Sequence, residues 1–333
     1  MGRGLPRAAP GYTARMSTKF GLTLSSEEHD PGRLLDIAQL AEESGFDFVS
    51  ISDHFHPWLD DQGHSPFVWT MLGALAERTT TLDVVVGVTC PIMRIHPVIL
   101  AQATATTAHL LGERFTWGVG TGEALNEHVL GDKWPPAPER LAMLEEAIEV
   151  VRRLWSGDEV SMAGKYFTVE NARLYDAPPV EIPVVMSAFG DQAAELAARV
   201  ADGLWTTGGA SETIETWKAA GGAGPVYSQI DVCWAEDEDE ALDTVAAVWR
   251  TAGVPGQLSQ DLPTPAHFDM AASIVQREDL AEEVLVGADA DALVKQVRAA
   301  IDAGVDHLYF HQIGDDQEGF CEAWASGLAE QLA

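Results

Sequence analysis

The sequence predicts an α/β fold, a (β/α)8 barrel, on three observations. Short β-rich runs alternate with amphipathic helical stretches along the chain. Eight such units fit within its 333 residues, a length that can bury one large core. Unusual polar and aromatic residues collect just after the strand candidates, where barrels of this type build their active sites. Strict alternation implies a parallel sheet joined by right-handed crossovers, and eight repeats close it. A doubly wound open sheet is the alternative that shares the alternation.

In chain order the strand candidates are Phe20–Thr23, Phe48–Ser52, Val84–Thr89, Phe115–Gly118, Val184–Ser187, Gly203–Thr206, Ser228–Cys233 and His307–His311. They are rich in β-branched and aromatic residues, which suit a pleated, buried surface. The helical stretches between them show one apolar face. In Pro138–Trp155, for example, Leu141, Leu144, Ile148, Val151 and Trp155 share a side opposite Glu145, Glu146, Glu149, Arg152 and Arg153. The polar, Pro- and Gly-rich stretch Thr251–Ala272 reads as an insertion near the seventh strand. No repeat of short period and no linker divides residues 17–333, which are expected to form one domain. Residues 1–16 carry three arginines and no acid but no apolar core. They are expected to be a disordered tail, with Met16 a candidate start.

The chain is 46% hydrophobic and 22% charged, a globular composition, with a net charge of −32. So acidic a chain disfavours nucleic acid as a partner, since little would neutralise phosphates in bulk. No apolar run is long enough to span a membrane. Cys90, Cys233 and Cys321 have no metal-like or disulfide-like spacing, which fits a reducing cytoplasm.

The strand ends carry the chemistry. "SDHFHPW" follows strand two, "TCPIMRIHP" strand three, "GVGTGEALNE" strand four, "SAFGDQ" strand five, "TTGGAS" strand six and "HQIGDD" strand eight. Asp53, His54, Glu123 and Asn126 supply acid, base and hydrogen-bonding groups beside the aromatic wall of Trp58. Gly118, Gly120 and Gly122 let backbone approach a flat ligand, although taken alone they equally make a tight turn. The segment opening at Ser187 starts a helix whose free N–H groups suit a phosphate. His54 and His56 form an H-x-H pair, but a metallohydrolase needs further histidines or a lysine at later strand ends. Strands five and six end instead in Ser187, Phe189, Thr206 and Thr207, so no metal is expected. No G-x-S-x-G elbow supports a serine hydrolase.

Together "GFDFVSISDHFHPW", "GHSPFVW", "RFTWGVGTGEALNE" and "HLYFHQ" resemble the F420-dependent dehydrogenases related to glucose-6-phosphate dehydrogenase, within the luciferase-like superfamily. The resemblance runs from about Lys19 to the C-terminus. It implies a luciferase-like (β/α)8 TIM barrel with insertions, coenzyme F420 as cofactor, and a homodimer in the cytoplasm. It places Asp53, Val88, Cys90, Thr121, Gly122, Asn126, Phe189, Gly190, Gln192 and Ala193 around the deazaflavin, with a non-prolyl cis peptide at Gly87–Val88. Cys90 stands where those enzymes have threonine and Phe189 where they have glycine. His54 and Glu123 match the family's proton-transfer pair, Trp58 walls the site, and Glu27 joins it after strand one. Of the family's sugar-phosphate clamp only Thr207 has a counterpart. Ala210 replaces one lysine, Glu283 the arginine, and the other lysine falls near Ser259–Gln260. The resemblance therefore implies hydride transfer between F420 and a small alcohol or sugar, rather than a sugar phosphate. The alternatives are an FMN-dependent monooxygenase, a glucose-6-phosphate dehydrogenase proper, and a deazaflavin-binding protein without catalysis.

Overall fold

The computed structural model describes residues 18–208 and 210–332. The expected tail, 1–16, lies outside them. Eight parallel strands form the barrel: β1 Lys19–Leu24, β2 Phe48–Ile51, β3 Asp83–Thr89, β4 Phe115–Val119, β5 Val184–Ser187, β6 Gly203–Thr207, β7 Val226–Cys233 and β8 His307–Gln312. All eight sequence candidates are present, with ends moved by a residue or two. Neighbours pair in chain order, β8 lies beside β1 with Leu308 opposite Phe20, and β6 pairs with β7 through Leu204 and Val226. The sheet is closed, which removes the open-sheet alternative.

Outward-facing strand residues such as Leu22, Leu24, Val49, Ile51, Val84 and Val86 are fully buried beneath the helices. The bore is filled separately by Phe48, Val85, Val185, Trp205, Tyr227 and Tyr309. Trp205 and Tyr309 meet at 4.5 Å between ring centroids, so the plug is continuous. Two glycines make room for it. A Cβ at Gly21 would stand 2.5 Å from the Phe48 ring, and one at Gly87 would stand 2.5 Å from Trp205.

Helix starts follow local capping chemistry. Asp30 accepts bonds from the Gly32 and Arg33 amides at the head of Pro31–Glu43. His96 caps Pro97–Leu111 through Val98. The helix expected over Pro138–Trp155 runs Ala137–Leu154.

Three features depart from the simple alternation. An antiparallel hairpin, Val160–Ala163 with Thr168–Ala172, precedes β5. The insertion after β7 folds into short helices, among them Gly256–Asp261 and Pro265–Ala272, and covers one side of the barrel mouth. A short strand, Leu285–Val286, takes up the upper end of β7 opposite Val232 and Cys233.

Candidate active site

The loops after the strands enclose a cavity of about 350 Å³ at the C-terminal mouth of the barrel. Its floor is the upper surface of the aromatic plug, Trp205 and Tyr309. Trp58 and Phe268 form a wall, with ring centroids 5.0 Å apart, the second supplied by the insertion. Thr23, Ser25, Ser50, Ser52, Ser187, Thr207, Thr251 and Ser259 bring hydroxyls to its surface, so it is aromatic and hydroxylic at once. Glu27, Glu123 and Asp231 are its carboxylates, and no lysine or arginine among the described residues lines it.

One histidine is gripped on a single ring nitrogen. His54 Nδ1 lies 3.1 Å from Glu27 Oε1 and 3.3 Å from the His56 carbonyl. Glu27 is itself fixed, because its Oε2 accepts from Ser52 Oγ at 2.9 Å and Ser25 Oγ at 3.3 Å. The Trp58 ring crosses His54 edge-on at 4.9 Å. With Nδ1–H donated to the His56 carbonyl and the Glu27 carboxylate close beside it, Nε2 keeps its lone pair and can accept a proton.

A second histidine is gripped on both nitrogens. His311, at the top of β8, has Nε2 2.7 Å from Glu28 Oε1 and Nδ1 3.1 Å from Asp231 Oδ1. Burial favours its neutral form, but the two carboxylates outweigh that and push its pKa up to about 10. His311 is therefore an imidazolium at neutral pH.

Behind the β3 and β4 loops lies a third network. Arg94 donates from Nη2 to Asp53 Oδ1 at 2.7 Å, and Glu127 Oε2 accepts from the Arg94 amide at 2.9 Å. Burial pushes the Glu127 carboxyl up to about 7 against the pull of Arg94. Asn126 Oδ1 accepts from the amides of Phe55 and His56, which ties the β2 loop to the β4 loop.

The residues here suit a flat, polar cofactor. Asp53 Oδ2 and Asn126 Nδ2 are buried without a hydrogen-bond partner among the described residues, one an acceptor and the other a donor. Gly120 and Gly122 leave space that a side chain would fill. A Cβ at Gly122 would stand 2.6 Å from Cys90 Sγ, and its φ of +69° is itself a glycine conformation. The Gly87–Val88 peptide is cis, at the position where the family resemblance puts one.

Of the residues singled out from sequence, Glu27, His54, Trp58, Val88, Glu123, Phe189 and Thr207 line the cavity. Asp53, Cys90 and Asn126 are buried directly behind it, and Thr121 and Gly122 are half-buried in the β4 loop. Gly190, Gln192 and Ala193 sit at the start of the helix Asp191–Val200, beside the exposed Phe189 ring. Glu283 is the exception and must be corrected. It ends the helix Leu280–Glu283 and lines an outer groove with Glu238, Asp289 and Lys295. The next residue, Val284, is buried in a satellite core with Cys233, Leu242 and Ile313, which holds Glu283 away from the mouth. Ser259, where a lysine position was loosely placed, does line the cavity. Sequence reasoning missed Glu28, Asp231, His311 and Arg94. The only signals were the doubled acid of "SSEEHD" and the histidine of "HQIGDD" at a strand end.

The family model for luciferase-like monooxygenases matches residues 15–307. An F420-dependent glucose-6-phosphate dehydrogenase of Microbacterium testaceum is 36% identical over 327 residues, 94% of this chain and 97% of that protein. The enzyme of the same name from Rhodococcus erythropolis is 36% identical, again over 94% of this chain and 97% of its own. Among solved structures, an F420-dependent secondary alcohol dehydrogenase in complex with an F420–acetone adduct superposes with a TM-score of 0.88 at 29% identity, covering 96% of this chain and all of that one (100%). The F420-dependent tetrahydromethanopterin reductase from Methanopyrus kandleri, at 23% identity and a TM-score of 0.76, shares the fold over 95% of this chain and 100% of its own. A closed barrel with its polar cavity at the strand ends, and sequence similarity spanning nearly the whole chain, lead to one assignment: the chain belongs to the luciferase-like family, beside its F420-dependent dehydrogenases.

Proposed function

We propose that this F420-dependent oxidoreductase oxidises the hydroxyl-bearing carbon of a neutral alcohol or unphosphorylated sugar. The observation that carries the proposal is the Glu27–His54 pair in a cavity lined by hydroxyls and aromatics but by no lysine or arginine among the described residues. His54 takes the hydroxyl proton at Nε2, while the His56 carbonyl holds its Nδ1–H and the nearby Glu27 carboxylate stabilises the imidazolium that forms. Bound F420 supplies deazaflavin C5 as the hydride acceptor. Asp53, Thr121, Gly122, Asn126, Val88 and Cys90 would hold the deazaflavin ring, and Gly190, Gln192 and Ala193, at a helix N-terminus beside Phe189, would hold its anionic part. Glu123 would manage the proton at the pyrimidine edge of the cofactor, and Trp58 would exclude water from the reacting carbon.

A sugar phosphate suits this cavity poorly. Thr207 remains, but a phosphate dianion there would face Glu27, Glu123 and Asp231 with no lining lysine or arginine among the described residues, and the charged His311 already gives both N–H groups to Asp231 and Glu28. Two unit charges about 4 Å apart interact by about 4 kcal/mol at an effective dielectric near 20. The cavity's lack of lysine and arginine among the described residues and its own carboxylates disfavour the dianion, and Glu283 plays no part.

The test follows loss of F420 absorbance with a panel of alcohols and sugars, comparing kcat/KM for glucose 6-phosphate, glucose and simple secondary alcohols. Glucose 6-phosphate as the best substrate would overturn the substrate reading. Tighter binding of FMN than of F420 would favour a monooxygenase instead.

The same proposal includes a single domain over 17–333 and a cytoplasmic homodimer. The free, buried Cys90, Cys233 and Cys321 support a reducing compartment, and no helix among the described residues is long and apolar enough to cross a membrane. Sedimentation of the purified protein measures the oligomer.

A further inference from the structure

The cavity contains a carboxylate that the proposed reaction does not use. Asp231 lies near the top of β7, and its Oδ1 accepts from Gln229 Nε2 at 2.6 Å and from His311 Nδ1 at 3.1 Å. His311 is clamped on its other side by Glu28, whose Oε2 in turn accepts from the Gly314 amide at 2.9 Å. The Trp249 ring closes over the imidazole edge-on at 4.4 Å. Within this chain the side chains of His311 and Glu28 are 2% and 4% exposed, whereas that of Asp231 is 23% exposed. Asp231 Oδ2 makes no hydrogen bond with a described residue, and the residue lines the cavity.

His311 is poorly placed to act as a base, because both ring nitrogens are engaged and the flanking carboxylates hold its proton. That proton serves another end. It fixes Asp231 Oδ1 through the Nδ1–H bond, so Oδ2 is left as a pre-oriented acceptor.

We propose that Asp231, positioned by His311, is a specificity-determining residue that accepts a hydrogen bond at Oδ2 from a second substrate hydroxyl, one that is not oxidised. The inference rests on the alcohol reading above and narrows its class to polyols and unphosphorylated sugars. A carboxylate only accepts, so it selects for a donor and against a bare alkyl group or an anion. The serine and threonine hydroxyls around the cavity both donate and accept, which suits the remaining hydroxyls of a polyol. A simple secondary alcohol would leave Asp231 unpartnered and gain nothing from it.

The test uses the full-length protein loaded with F420 and three polyol probes, D-glucose, sorbitol and myo-inositol, against propan-2-ol. In Asp231→Asn, kcat/KM for the best polyol falls about 10- to 100-fold, the usual range for a lost hydrogen bond to a charged group, chiefly through KM. The value for propan-2-ol changes less than about threefold, and F420 affinity is unchanged, which also reports that the variant is folded. Asp231→Ser provides a second, smaller replacement if the asparagine variant does not fold. A readout free of turnover is polyol binding to protein loaded with reduced F420, which cannot accept a hydride. That binding is expected to weaken by the same factor. Equal losses for polyol and propan-2-ol, unchanged polyol binding, or absence of binding by all three polyols overturn the proposal. Tenfold tighter use of glucosamine than of glucose overturns it in favour of an ammonium donor. Oxidation of propan-2-ol without polyol binding sinks the Asp231 site and leaves the dehydrogenase standing. Asp231-dependent polyol binding with no alcohol oxidised does the reverse.

Discussion

Replacing Arg94 with glutamine isolates the charge network behind the cofactor site. Its guanidinium is 7% exposed and serves Asp53 and Glu127, whose side chains are 0% and 1% exposed. Removing one member of a buried ion pair typically costs about 3–5 kcal/mol, because the partners stay buried and uncompensated. At roughly 2 °C per kcal/mol for a chain of this size, Tm should fall by about 6–10 °C. The pH dependence is more specific. Burial already holds Glu127 near 7, above its ordinary 4.5, in spite of Arg94. A carboxyl raised in the native state contributes most below its unfolded pKa, and that contribution is lost as pH rises through the folded value. Without Arg94 the loss extends beyond pH 7, since Glu127 and Asp53 then repel each other unopposed. The stability difference between wild type and Arg94→Gln should therefore widen from pH 5.5 to pH 8.5, by at most about 1.4 kcal/mol per pH unit for each proton. Urea titrations followed by tryptophan fluorescence at pH 5.5, 7 and 8.5 measure it. A difference below about 1 kcal/mol, or one that narrows as pH rises, refutes the reasoning.

Three further substitutions separate binding from chemistry. His54→Ala should lower kcat by about 10²- to 10⁴-fold with F420 affinity retained, by stopped-flow and fluorescence quenching, while Glu27→Gln should lose less and alter the pH–rate profile. Gly122→Ala forces a Cβ to 2.6 Å from Cys90 Sγ at a φ of +69°, so F420 affinity should drop by at least about tenfold; near-normal affinity would mean the β4 loop does not cradle the ring.

The barrel was legible because its signal is repeated: each β-rich run is followed by an amphipathic stretch, and one mistaken run would not hide the other seven. The hairpin at Val160–Ala172 was not legible, since "VSMA" and "TVENA" are too short to establish an alternating pattern. Glu27, His54 and Trp58 could be assembled because they follow adjacent strands, and strand order alone brings such loops together. The grip of Glu28 on His311 spans 283 positions and exists only because β8 closes against β1. No local pattern records that closure. Glu283 was misplaced for a related reason. The insertion between β7 and β8 changes the path of the chain, and only the burial of Val284 shows which way it turns.

Glu27 and Glu28 occupy one tight turn, in which the amides of Glu28 and His29 both bond to the Ser25 carbonyl. One side chain reaches the histidine assigned to the reacting carbon, and the other reaches the histidine that fixes Asp231. These two ends of the cavity therefore share a hinge of consecutive residues. A substitution that tilts this turn would move both together, so substrate preference and proton transfer are not independent variables in this lineage. Drift toward a new substrate should proceed first through the insertion, at Thr251, Ser259 or Phe268, where the cavity wall can change without disturbing either histidine.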